Sequence, residues 1–182
     1  MQTILKSATE AAKRVRVELK HHFPNTKFRV RTSYFSMGNS IDVSWDLGPT
    51  TRQVDAIIGK YQEGSFDGMT DSYNYEPTLV LTKDNEVAEL GGAKYVHSHR
   101  SAGSQFDQMC EDYCAALGLT YEGPNTRDPQ RNEWVSTLVH RLMSCFDLTN
   151  GYQGIRQDPN HPQAGTLEEF YEMIGGTRVP RS

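Results

Sequence analysis

The chain opens on a rhythm of 3.6 residues. Ile4, Ala8, Ala11, Ala12, Val15 and Leu19 fall on one face of a helix predicted over residues 4–23, and Pro24-Asn25 stops it. The rhythm then drops to two. Phe28 and Val30 alternate with Lys27, Arg29 and Arg31 over residues 26–33, and Ile41, Val43 and Trp45 alternate with Asp42, Ser44 and Asp46. Met37-Gly38-Asn39 lies between the two runs, so they are predicted as an antiparallel hairpin. One face packs on helices. The other sets three bases beside two acids, and cross-strand Arg–Asp pairing would explain both sets without any ligand.

Gly48-Pro49 breaks the second strand. Thr50 and Gln53 fit a capping box for a second helix, with Val54, Ile57, Ile58 and Tyr61 as its stripe and Gly64 as its stop. Strands are predicted over 78–83 and 93–98, with Asp84-Asn85 as a turn. Ser104 is placed as the cap of a third helix that ends at Gly118 and carries Phe106, Met109, Cys110, Tyr113, Cys114 and Leu117. The order α-β-β-α-β-β-α predicts an α+β fold, an antiparallel sheet with helices on one face. From Thr120 the text turns linker-like. Asp128-Pro129 then reads as the start of a helix with Trp134, Leu138, Leu142 and Cys145, and Thr166 with Glu169 as the start of another. The expected organisation is an α+β domain over 1–120, a C-terminal helical extension over 121–176 and a disordered tail over 177–182.

At 182 residues, 36% hydrophobic and 23% charged, the chain has the composition of a globular protein. It has no run of eighteen apolar residues and no apolar leader, so a cytoplasmic protein without a membrane partner is expected. Three cysteines argue against a disulfide framework. Cys110 and Cys114 sit one helical turn apart in an apolar stripe and read as small core residues, with no zinc ligand set around them. The net charge of −4 hides an asymmetry. Residues 1–33 hold eight Lys/Arg and two Asp/Glu, leaving 11 of the 19 bases and 21 of the 23 acids to the rest. Lys13, Arg16 and Lys20 share the polar face of the first helix, and Lys27, Arg29 and Arg31 share the polar face of the first strand. Such a pattern marks an anionic partner or an attraction within the fold.

Three further groups carry candidate chemistry. Residues 62–76 contain no Lys or Arg but hold Asp67 and Asp71 among the aromatics Phe66, Tyr73 and Tyr75. This long acidic loop is either a binding surface or a loop pinned by its own rings, and its spacing is not that of a calcium loop. His97-Ser98-His99 on a strand put both imidazoles on one face, and Arg100 beside them favours an anion over a metal. Asp67, Asp71, His97 and His99 are the residues around which an enzyme would be built, although no nucleophile accompanies them. No phosphate-binding glycine loop and no G-x-S-x-G occurs, so no cofactor is expected. A basic strand with His or Tyr on its sheet suits phosphates and stacked bases. The isoelectric point of 5.9 lies well below the ~9 of dedicated nucleic-acid binders.

The stretches AAKRVRVELKHHFP, KFRVRTSYFSMGNSIDVSWDLGPT, VDAIIGKYQEGSFDGMTDSY and, more loosely, GAKYVHSHRS resemble the large polyvalent protein-associated domains. The resemblance runs from Ala11 to about Leu117. It implies association with phages and conjugative elements and a role in protecting or handling incoming DNA. It implies no catalytic activity. The expectation is a non-enzymatic accessory or anti-defence binding protein acting on a host nucleic-acid-processing or defence complex, its acidic loop and acidic second half imitating or blocking a nucleic-acid site. One alternative is a nucleic-acid module using Lys13, Arg16, Lys20, Lys27, Arg29 and Arg31. Another is an enzyme around Asp67, Asp71, His97 and His99. Arg29 and Arg31 discriminate: held by Asp42 and Asp46, they would weaken the nucleic-acid reading.

Overall fold

The computed structural model describes residues 3–144 and 147–149. The described residues fall into two units, one over 3–46 and 51–101, the other over 47–50, 102–144 and 147–149. Cys145, the helix expected after Thr166 and the tail over 177–182 lie outside the described residues.

In the first unit, helix α1 spans Ala8–His22 and opens at Ser7, whose Oγ accepts the Glu10 amide at 3.3 Å. It starts later than the apolar rhythm predicts, because residues 4 and 5 pair as extended chain: their amides donate to the carbonyls of Glu89 and Leu90, both at 2.9 Å. Ile4 therefore leaves the stripe. Strands β1 (Arg29–Phe35) and β2 (Gly38–Asp46) form the expected antiparallel hairpin, with Val30 opposite Val43 and Arg31 opposite Asp42. Thr26 is not in the strand, since its amide closes a turn onto Phe23.

Helix α2 (Thr51–Ile58) runs into a 3-10 turn at Gly59–Tyr61. Two hairpins follow, β3 (Gly64–Asp67) with β4 (Ser72–Tyr75), and β5 (Leu79–Leu81) with β6 (Val87–Glu89). The first occupies the segment read as an acidic loop, and Gly64 opens a strand instead of stopping a helix. A Cβ there would lie 2.0 Å from the Asn74 carbonyl oxygen, so only glycine permits the strands to close. Strand β7 (Tyr95–Ser101) then completes a three-stranded sheet in the order β1-β2-β7. The antiparallel expectation holds for β1–β2 and for the hairpins, whereas β7 lies parallel to β2. A parallel neighbour needs a long crossover, which α2 and the two hairpins supply. Both helices cover one side: Ala8, Ala12, Val15 and Leu19 of α1 and Val54 and Ile58 of α2 share a core with Val30, Ile41, Val43 and Trp45. The period of two sends Arg29, Arg31, Asp42, Ser44, His97 and His99 to the other side.

In the second unit, Gly48 pairs with Leu148 through two backbone hydrogen bonds of 3.1 and 2.7 Å. Ser104 lies inside a 3-10 turn (Gly103–Gln105) and caps nothing; helix α3 begins after it and spans Phe106–Ala116. It ends as its sequence predicts. Gly118 takes φ +68°, its amide donates to Ala115 and that of Leu119 to Cys114, the reciprocal pattern of a glycine-terminated helix. Strands β8 (Arg127–Asp128) and β9 (Glu133–Trp134) form a short hairpin before helix α4 (Val135–Met143). Met109, Cys110, Tyr113 and Cys114 pack with Val135, Leu138, Val139 and Leu142. The Cys110 and Cys114 thiols are free and buried, and burial pushes that of Cys110 up to about 11.

Asp128 does not cap a helix. Its Oδ1 accepts the amides of Gln130 (2.8 Å) and Arg131 (3.2 Å), and its Oδ2 accepts Tyr113 Oη (2.8 Å) and Arg131 Nη1 (2.6 Å). The amide contacts are those an N-cap would make, which is why turn and cap look alike in sequence. Burial alone would raise this carboxyl, but the hydrogen bonds from Tyr113, Arg131 and the two amides outweigh it and hold the group below its ordinary value.

Candidate binding face of the sheet

The side of the sheet away from the helices is laid out in rungs. Arg29, Ser44 and His99 stand side by side on β1, β2 and β7; Arg31, Asp42 and His97 form the next rung; Ser33, Ser40 and Tyr95 the third. Phe35 follows Ser33 on the same side. Arg29, Arg31, Phe35, His97 and His99 are exposed. Among the described residues, no ion pair joins Arg29 or Arg31 to Asp42 or Asp46. Asp42 instead accepts Ser40 Oγ at 2.9 Å. The register brings Arg31 opposite Asp42, but in solvent a direct contact gains little over hydration.

Beside the arginines runs a row of rings. Phe35 stacks on Tyr95 (centroids 6.2 Å apart, planes at 24°) and Tyr95 on His97 (6.1 Å, 8°). Tyr73 meets Tyr95 edge-on at 5.9 Å and donates its hydroxyl to the Lys94 carbonyl at 2.7 Å. The Lys94 ammonium lies 4.8 Å from the Tyr73 ring centre and 5.5 Å from that of Tyr95, both cation–π distances. Burial, reinforced by Glu63 and the neighbouring tyrosines, pushes the Tyr73 hydroxyl up to about 12, so it stays a donor. At the opposite end of the face a cleft of about 490 Å³ opens between Lys27 and Arg29 on one wall and His99 and Ser101 on the other, with Ser44 and Asp46 between them.

The basic residues near the N-terminus do not form one patch. Lys13 and Lys20 are exposed on α1, which covers the apolar side of the sheet, so they point away from Arg29 and Arg31. Arg16 is engaged at home: its Nη2 donates to the Val30 carbonyl at 2.6 Å, on the free edge of β1. Arg100 is opposite Trp45, on the helix side of the sheet, and is 8% exposed. The alternation that unites His97 with His99 therefore separates both from Arg100.

The acidic segment is a shaped hairpin. Asp67 Oδ1 accepts the Met69 amide at 2.9 Å and Oδ2 accepts Thr70 Oγ1 at 2.8 Å, and Asp71 turns the tip with φ +50°. The Met69 amide, then the Thr70 hydroxyl, hold the Asp67 carboxyl below its ordinary value. Phe66 and Tyr75 are each about half exposed, and Met69 at the tip is fully exposed. Among the described residues no three His, Cys, Asp or Glu side chains gather as a metal site, so Asp67, Asp71, His97 and His99 do not converge as one.

Residues 6–113 match the model of large polyvalent protein associated domain 29. The chain belongs to that family. No curated protein and no solved structure gives a significant match. Domains of this family are associated with large polyvalent proteins. The span of the polyvalent-protein domain includes every strand of the three-stranded sheet and the β3–β4 hairpin.

Sequence reasoning missed three residues of this polyvalent-protein domain's face: Phe35, Lys94 and Tyr95. The signal for Tyr95 was present, since it precedes His97 and His99 by the same step of two. Phe35 lay beyond the predicted end of its strand, and the cation–π position of Lys94 depends on a pairing over more than twenty residues. Among the described residues, no helix is long and apolar enough to cross a membrane.

Proposed function

We propose that this mobile-element domain is a non-enzymatic module that binds single-stranded nucleic acid on the open face of its sheet. One observation carries the reading: Arg29 and Arg31 stand beside the Phe35–Tyr95–His97 row, and neither is held by Asp42 or Asp46. Rings on a sheet stack exposed bases, and guanidinium groups beside them meet the phosphates. A duplex hides its bases and offers nothing to the rings. The acidic remainder of the chain limits affinity, and the arginine–phosphate contacts make binding weaken with salt.

The test is fluorescence anisotropy with single- and double-stranded DNA and RNA at low and moderate salt. Micromolar binding of single strands is expected, weakened by salt and lost when Arg29 and Arg31 both become Glu. Equal binding of duplex would refute stacking, and no binding at low salt would retire the reading. A second reading rests on the hairpin, whose exposed Phe66, Met69 and Tyr75 lie near Asp67 and Asp71. This acidic and aromatic edge suits a basic surface of a host nucleic-acid-processing or defence complex. Binding by such a complex that survives the arginine reversals but is lost on Phe66→Ala and Tyr75→Ala would favour it.

A further inference from the structure

The cleft at the end of the sheet differs from the face it adjoins. The face offers rings in a row; the cleft offers two cations on one wall, an imidazole on the other and one carboxylate. Lys27 and Arg29 approach from β1 and its lead-in, His99 from β7, and Ser44 adds a hydroxyl between them. That set suits a phosphate. Asp46 stands one rung further out, paired in register with Ser101. A carboxylate there repels a second phosphate but accepts a hydroxyl. Trp45 and Phe28 complete the wall of the cleft, with the Trp45 side chain buried in the core behind it, and the volume of about 490 Å³ is within the range of small-ligand sites.

We infer that this cleft takes a nucleoside monophosphate unit with a free sugar hydroxyl: Lys27, Arg29 and His99 hold the phosphate and Asp46 accepts the hydroxyl. This rests on the nucleic-acid reading when the unit is the last nucleotide of a strand lying on the ring row. A strand that continued past the cleft would bring its next phosphate against Asp46. The site therefore selects an end. A free mononucleotide has the same chemistry and is the other source.

The experiment compares five probes: a short linear single strand with hydroxyls at both ends, the same strand phosphorylated at one end, the same strand phosphorylated at the other, its circular form, and adenosine monophosphate. The chain has two tryptophans, so Trp134→Phe leaves Trp45, on the strand that floors the cleft, as the remaining tryptophan signal. The linear hydroxyl-ended strand is expected to bind about tenfold more tightly than the circle, the difference expected of a charged hydrogen bond and avoided repulsion. Phosphorylating one of the two ends removes the advantage. Asp46→Asn, at an exposed position, raises the circle towards the linear strand, and Lys27→Gln weakens the linear strand most. Thermal melting confirms that both variants fold. Equal affinity for circle and line overturns the end site and leaves the sheet-face reading standing. Quenching of Trp45 by adenosine monophosphate, lost in Lys27→Gln, with no strand binding at all, overturns the sheet-face reading and assigns the cleft to free nucleotides. No response to any probe overturns both.

Discussion

Arg31 in the sheet and Arg131 in the β8–β9 turn each have an aspartate within reach, and only Arg131 closes on it. Asp128 is 1% exposed, with four donors converging on its two oxygens. Asp42 is partly exposed and takes a neighbouring serine. The difference is solvent. A buried carboxylate must collect its partners from the protein, whereas an exposed one is served by water and leaves the arginine opposite available. Charge opposite charge in a strand register thus says little about ion pairing until burial is known. The unpaired arrangement is the one that can meet a ligand.

The strongest way to break this contrast is to remove Asp128. Asp128→Ala should destabilise the second unit by about 3 kcal/mol, because Tyr113 and Arg131 are left without their acceptor. Urea unfolding followed by Trp134 fluorescence would measure it, and a loss under ~0.5 kcal/mol would show that the knot is dispensable. Acid probes the same group. Its folded pKa is depressed below the unfolded ~3.9, so its contribution is fully present above that value and is lost as pH falls through the folded pKa. Stability should therefore decline below about pH 4, and Asp128→Asn should flatten that limb; an unchanged acid limb would assign it to other carboxylates.

Smaller effects sharpen the sheet side. Arg31→Ala should weaken single-strand binding by roughly tenfold, without moving the melting temperature. Phe35→Ala should cost about 1 kcal/mol of binding through lost stacking, read by anisotropy on the same strands; unchanged affinity would remove the ring row from the site. Asp42→Asn should change stability by less than about 0.5 kcal/mol and slightly improve strand binding. A larger loss of stability would mean that Arg31 leans on Asp42 after all.

The α1 stripe, the β1–β2 hairpin and the glycine end of α3 were legible because each depends on residues close in sequence. The polar side of the sheet followed from a period of two, and with it the grouping of Arg29 and Arg31 and of His97 and His99. Pairing over distance was not legible. The parallel docking of β7, the capture of residues 4 and 5 by Glu89 and Leu90, and the hairpin made from residues 64–75 all depend on partners that no local window contains. Strand β6 was missed although Asp84-Asn85 marked its turn, because Val87–Glu89 is too short to show a rhythm. Arg16 looked like a ligand group in a basic string, and Arg100 like one beside His97 and His99. Helix and strand geometry turned the first onto the edge of β1 and the second towards the core.

The pairing of Gly48 with Leu148 also sets an order of events on the ribosome. The two residues are about a hundred positions apart, which at ~5–20 residues per second is a wait of roughly 5–20 s. Every strand of the three-stranded sheet has been synthesised by Ser101. The nascent chain can therefore present Arg29, Arg31 and the ring row while Gly48 still lacks its partner, and the second unit closes last.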